Sequence, residues 1–188
     1  MRVLVACEFS GRVRDAFAKR GHYAMSCDLL PSETPGNHYQ GDVMDIINDG
    51  WDLMIAHPPC TRLANSGVRW LEERNLWGAM EQASMFFKSL LNAPIEKIAC
   101  ENPIPHSYAV KIIGRKYDQV IQPWMFGHGE TKATCLWLKG LPKLKPTNMV
   151  DGREHKIHKM PGSKCQSMNR SRTFQGIADA MADQWGAL

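Results

Sequence analysis

The sequence predicts a single α/β domain, residues 1–188, with a mostly parallel sheet and helices on both faces. Three observations predict it. Short apolar runs of strand length alternate with stretches of helical spacing. The first 28 residues read strand, glycine-containing turn, helix, strand, acidic residue, which is the first half of a nucleotide-binding α/β unit. Two later strands run into proline with reactive side chains at their tips, Pro58-Pro59-Cys60 and Glu101-Asn102-Pro103. At 188 residues, 44% hydrophobic and 22% charged, the chain has the size and composition for one core.

Residues 3–7 form the first apolar run, followed by Glu8-Phe9-Ser10-Gly11. Val13, Ala16 and Phe17 then share one helical face, with Arg12, Arg14, Lys19 and Arg20 placed off it. Ser10 is the expected N-cap and Gly21 the expected stop. Residues 22–27 give a second strand ending at Asp28. Residues 29–40 read as loop, and Gly41-Asp42-Val43 as a short third strand and its exit. One or two helical turns over 45–50 lead to the strand at 51–56, which His57-Pro58-Pro59-Cys60 ends, because proline removes a backbone donor and fixes φ. Residues 69–91 have helical spacing through Trp70, Trp77, Met80, Phe87 and Leu91, and the two tryptophans are expected in the core. Residues 97–100 make a fifth strand running into Glu101-Asn102-Pro103. A short helix over 106–114 follows, then a β hairpin of residues 118–122 and 134–138 whose long loop suits a functional tip. Residues 141–172 form a basic, irregular insert. Phe174, Ile177, Met181 and Trp185 make a closing helical stripe.

The six cysteines are scattered without a CxxC pair, so they read as reduced thiols, with Cys7, Cys27, Cys100 and Cys135 in the core. No apolar run reaches the roughly 18 residues of a membrane span, and charges follow the first strand too closely for a signal peptide. The expectation is a cytoplasmic protein with no membrane contact. A net charge of +4 mildly favours a polyanionic partner. His155, His158 and Cys165 have metal-ligating chemistry but no fourth ligand at zinc spacing, so no metal is assigned.

In a parallel sheet, the tips carrying Cys60 and Glu101 share one edge, beside the crevice where such folds bind ligands. A thiolate there needs a nearby cation. A partly buried carboxyl can act as an acid near neutral pH. Thiol plus acid suits covalent addition to an electron-poor ring whose nitrogen is protonated as sulfur adds.

On these residues the chain resembles the DNA cytosine-5 methyltransferase family. Pro58-Pro59-Cys60 matches the family's nucleophile motif and Glu101-Asn102-Pro103 its Glu-Asn-Val element. Phe9-Ser10-Gly11 stands at the first cofactor loop, Asp28 at the ribose-binding acid, Gly41-Asp42 at the adenine-contacting step. Gly176 to Met181 resembles the helix beside the cofactor. The resemblance implies a Rossmann-like methyltransferase fold, S-adenosylmethionine as cofactor and DNA as partner. It implies that Cys60 adds to C6 of cytosine, that Glu101 serves N3, and that Asn102 holds the local geometry. Phe9, Ser10, Gly11, Asp28, Asp42 and Pro58 would hold the cofactor, and the target base would leave its stack.

The sequence departs from the family at three places. The first loop is Glu8-Phe9-Ser10-Gly11-Arg12 rather than Phe-x-Gly-x-Gly. The family's Gln-x-Arg-x-Arg element has no clean match: Lys132 stands by position, as a point charge without the guanidinium fork, and Arg170-Ser171-Arg172 is a rival. No large target-recognition domain fits, so selectivity is low or comes from a partner protein or oligomer, as would suit a compact phage enzyme. Arg62, Arg170 and Arg172 are the expected phosphate contacts. Amino-group methylation is disfavoured by the cysteine after Pro-Pro. A catalytically silent DNA-binding or regulatory protein derived from such an enzyme, and C5 modification of a pyrimidine in RNA or a free nucleotide, stay open.

Overall fold

The computed structural model describes residues 1–155 and 170–188. Seven strands form one sheet: β1 Arg2–Ala6, β2 Tyr23–Asp28, β3 His38–Gln40, β4 Leu53–Ala56, β5 Lys97–Pro103, β6 Gln119–Ile121 and β7 Thr134–Lys139. Their order is β3-β2-β1-β4-β5-β7-β6. All neighbours are parallel except that β7 runs antiparallel to β5 and β6. The order reverses between β1 and β4, which puts a ligand crevice at their carboxyl ends. The expected hairpin is the β6–β7 pair.

The strands are apolar on both sides because each face is covered by helices. One face packs Leu4, Met54, Ile98, Cys100 and Trp137 under α3 (Trp77–Leu91) and α4 (Ser107–Ile113). The other packs Val3, Val5, Leu53, Ile55 and Ala99 under α1 (Arg12–Ala18) and α5 (Gln175–Trp185). Side chains alternate along a strand. Glu101 therefore continues the row of Ala99 toward α1 and α5, and His57 continues that of Ile55. Asn102 falls on the opposite face with Cys100. Among the described residues, no helix is long and apolar enough to cross a membrane.

Several expectations are corrected. Residues 38–40, read as loop, are the third strand, while Asp42 caps a 3-10 turn at Val43–Asp45 by accepting from the Met44 amide (2.9 Å). The helix expected over 69–91 is broken into α2 (Arg69–Glu73) and α3, because Asn75 takes a left-handed conformation (φ 49°) that asparagine tolerates better than most residues. Trp70 is consequently not a core residue. It is half-buried, with the guanidinium groups of Arg69 and Arg74 over its ring at 4.3 and 4.2 Å. Trp77 is half-buried too and meets exposed Tyr108 edge-on. β5 does not end before Glu101; it carries Glu101 and Asn102 inside its pairing with β7.

The largest departure is at α1. Ser10 is not its N-cap: Gly11 holds that position at φ 73°, without a side-chain cap. The carboxylate of buried Glu8 does the capping, accepting from the Val13 amide (2.8 Å), the Arg14 amide (3.2 Å) and the Ser10 hydroxyl (3.2 Å). Arg14, expected on the polar face, is 1% exposed. Its guanidinium donates to Asp15, to the hydroxyls of Ser26 and Ser32, and to Thr34 and the Pro35 carbonyl. A buried guanidinium is tolerated only when its donors are satisfied in this way. A Cβ at Gly11 would run into Thr34 Oγ1 and Arg14 Nη2, so this glycine serves both the turn and the packing of Arg14.

Candidate active site

β4 delivers its tip directly. The His57 amide donates to the Ala6 carbonyl (2.9 Å), which keeps β4 beside β1 for one residue past the strand. Pro58 and Pro59 then turn the chain, and the amides of Leu63 and Ala64 both donate to the Cys60 carbonyl (3.0 and 2.9 Å). The tight turn leaves the Cys60 thiol half-buried at the mouth of the crevice. Its far side is braced against the start of α4: the His106 amide donates to the Leu63 carbonyl (3.1 Å), and His106 Nε2 lies 2.8 Å from the Arg62 carbonyl.

Glu101 lies across from this turn on β5. Its Oε1 is 3.7 Å from His57 Nδ1, an ion-pair contact too long for a hydrogen bond. The His57 side chain is 7% exposed and Glu101 18%. Neither ring nitrogen of His57 has a hydrogen-bond partner among the described residues. Thr134, Lys132, Thr173 and Phe174 complete a cavity of about 10 Å³ around the pair, room for about one water molecule.

Lys132 reaches this cavity because β7 is antiparallel. Pro103 pairs with Thr134, so the residues just before β7 return to the end of β5. The Lys132 ammonium donates to the Arg170 carbonyl (2.6 Å) and lies 3.4 Å from that of Arg172, with the Phe174 ring 5.9 Å away. The two rivals for the missing arginine element thus meet at one place, the side chain of one held by the backbone of the other.

The electrostatics couple these groups. Burial pushes the Cys60 thiol up, Glu101 adds to the rise and Lys132 opposes it. Burial works against charge on Glu101, yet His57 and Lys132 together hold its carboxyl below its ordinary range. Burial likewise opposes charge on His57, but Glu101 and, less strongly, Glu8 keep its pKa raised against the effect of Lys132. The remaining cysteines are poor nucleophiles. Burial first and neighbouring acids second push Cys7 and Cys27 up to about 12, burial and Glu101 do the same to Cys135, and Cys100 is raised further still.

Other expected site residues are distributed as follows. Phe9, Ser10 and Gly11 form the β1–α1 turn at the same sheet edge, but the first amides of α1 are occupied by Glu8. Asp28, at the end of β2, is half-buried and accepts from the Leu30 amide (2.9 Å) through Oδ1; its other carboxylate oxygen makes no hydrogen bond among the described residues. Asp42 is exposed. Asn102 is buried on the α3–α4 face; its Nδ2 donates to the Pro103 carbonyl (2.6 Å), and it does not enter the cavity of Glu101. Arg172 is held by Glu33 (2.8 Å) beneath Phe9, so its charge tethers the β2–β3 loop. Of the basic insert, residues 156–169, including His158 and Cys165, lie outside the described residues. His57 and Glu8 match no motif, and only their partners in the fold, Glu101 for one and the α1 amides for the other, mark them.

A larger hollow of about 340 Å³ opens at the opposite sheet edge, beside Asn92, Arg115 and Lys139. Its cations are committed to Asp118, the Leu138 carbonyl and the Ala93 carbonyl, which makes it a structural seam.

No protein-family model matches the sequence, and no curated protein does. Solved structures do. A chain described as a DNA modification methyltransferase encoded within an E. coli prophage superposes over 80% of this chain at a TM-score of 0.52 and 16% identity. The Entamoeba histolytica methyltransferase EhMeth superposes over 80% of it at 0.54 and 13% identity. The fold is that of these methyltransferases. The chain spans 52% and 57% of their respective lengths.

Proposed function

We propose that the chain methylates C5 of cytosine in DNA, with S-adenosylmethionine as the methyl donor and Cys60 as the nucleophile. One observation carries this reading. A half-buried thiol, a partly buried carboxyl and an ammonium group lie on one edge of a methyltransferase-type sheet and act on one another electrostatically. That set is what addition to a pyrimidine requires. The Cys60 thiolate forms a bond to C6, and the ring electrons displaced by it are taken up at N3, to which the Glu101 carboxyl gives a proton. C5 becomes nucleophilic. S-adenosylmethionine, when bound, supplies an electrophilic methyl group. Loss of the C5 proton to water, return of the N3 proton to Glu101 and expulsion of the Cys60 thiolate restore the ring. Lys132 favours the thiolate and restrains the carboxylate in the same cavity.

The ribose end of such a cofactor fits the half-bound carboxylate of Asp28. Asp42 and Pro58 lie at the same edge, with the Phe9-Ser10-Gly11 turn beside them. On α2 and just past it, which follow the Cys60 turn in the chain, Arg69 and Arg74 lie over the Trp70 ring and combine charge with an aromatic surface, as strand-binding surfaces do.

The test is transfer of labelled methyl from S-adenosylmethionine to cytosine-containing DNA, with Cys60→Ser in parallel and trapping on DNA carrying 5-fluorocytosine. Transfer by the wild type and loss of both transfer and adduct in the variant are expected. Equal transfer by both proteins excludes Cys60 as the nucleophile. A second reading, a catalytically silent DNA-binding protein, is favoured by the occupied α1 amides. Absence of S-adenosylmethionine binding in calorimetry selects it.

A further inference from the structure

His57 belongs to no motif assigned above, yet its side chain is only 7% exposed where it lines the cavity. Its two ring nitrogens are shielded from solvent and unpartnered among the described residues. An imidazole in that state carries a desolvation cost that pairing would have removed. Nδ1 faces Glu101 Oε1 at 3.7 Å, a gap slightly too long for a direct bond, and the adjoining cavity takes about one water. The charged groups that act on His57 come from three segments: Glu101 from β5, Glu8 from the β1–α1 turn and Lys132 from the segment before β7. Thr134, Thr173, Phe174 and, from α5, Ile177 and Met181 line the rest of the cavity.

This arrangement bears on a gap in the chemistry. Glu101 must give a proton to the ring, yet it lies between two cationic side chains that favour its ionised form. A neighbouring group has to hold that proton and return it. We infer that His57 is the proton reservoir of Glu101: the two side chains share one proton across the cavity, and His57 acts on the substrate only through the carboxyl. The inference rests on the proposed pyrimidine chemistry. As sulfur bonds to C6, the shared proton passes from the His57 imidazolium through the Glu101 carboxyl to N3, leaving Glu101 ionised and His57 neutral. Elimination of the thiolate returns that proton from N3 through Glu101 to His57. No electrons are gained or lost at these groups, and the C5 proton leaves separately to water. His57 is thus a positioning residue that sets the protonation of the acid.

Two measurements test this. The first needs no substrate: an NMR titration of the histidine ring signals, with His57 identified by its absence in His57→Gln. In the wild type, His57 is expected to titrate above the ordinary value of about 6.5. In Glu101→Gln it should fall below that value, because burial and Lys132 then act unopposed; in Lys132→Met it should rise. A His57 titration indifferent to Glu101→Gln overturns the inference, and this arm stands even where His57→Gln folds poorly.

The second is the pH profile of methyl transfer. His57→Gln is expected to lower kcat by about 10²-fold at neutral pH, to leave KM for DNA within about threefold, and to move the alkaline limb toward acid by about one unit or more. An unshifted profile overturns the inference even where kcat falls, because a purely structural defect would lower rates at every pH alike. Linked titration with no methyl transfer by any protein leaves the shared proton established and overturns the proposed function instead, so the two failures are distinguishable.

Discussion

The tips of β1 and β4 are neighbours on one sheet edge, and they use their polar groups in opposite ways. At the β1 tip everything is committed inward. Glu8 holds the first amides of α1, and Arg14 clasps β2 and the β2–β3 loop. At the β4 tip the polar groups are left open: the Cys60 thiol is half-exposed and both nitrogens of His57 lack partners among the described residues. The first tip is a structural clamp, the second a reactive mouth. Two strand ends one ladder apart can therefore be assigned opposite roles from hydrogen bonding alone. Buried polar groups are normally satisfied, and the exceptions mark function.

Substitutions break this contrast in a graded way. The largest effect is expected for Cys60→Ser, which should lower methyl transfer by at least about 10³-fold with the urea midpoint unchanged. A large loss of stability would place Cys60 with the clamp instead. Glu101→Gln should follow, at about 10²-fold in kcat. Glu8→Ala belongs to the other tip. It strands the Val13 and Arg14 amides and should cost about 1–3 kcal/mol of stability, measured by denaturant unfolding; a stability within error of the wild type would show that α1 needs no cap. The smallest effect sharpens the electrostatics. Because burial and Glu101 raise the Cys60 pKa, its alkylation rate should climb with a midpoint above the ~8.5 of a free thiol. Glu101→Gln should speed alkylation at pH 7.5 by about three- to tenfold and Lys132→Met should slow it by a similar factor. Changes of the opposite sign would place these groups outside the range of the thiol.

What the sequence made legible follows the same divide. Strand-ending prolines mark Cys60 openly, since their effect on the backbone is local. The acid at Glu101 is legible as a residue type, but the continuation of β5 through it depends on pairing with β7, some 35 residues away in the chain. Arg14 looks like a surface residue on a helical wheel, because its partners Ser26, Ser32 and Thr34 lie outside the helix. The break at Asn75 was hidden by apolar spacing that continues on both sides of it. Gly11 was visible as a turn residue, while the cap it displaces onto Glu8 is a matter of three-dimensional fit. Local backbone rules were readable; long-range clasps were not.

The antiparallel course of β7 has one more consequence. Lys132 stands two residues ahead of Thr134, whose place is fixed by its partner Pro103. Its height along the sheet is thus set first by strand register. The connecting segment 122–131 reinforces that placement: the Gln122 side chain accepts from the Lys132 amide (2.9 Å), and Phe126 is anchored in the core. A two-residue slip of β7 would carry Lys132 about 7 Å along the sheet. The rim and the interior of this site are therefore one unit: a redesigned loop has to keep Gln122 and Phe126 if the cation is to stay at its place on the sheet.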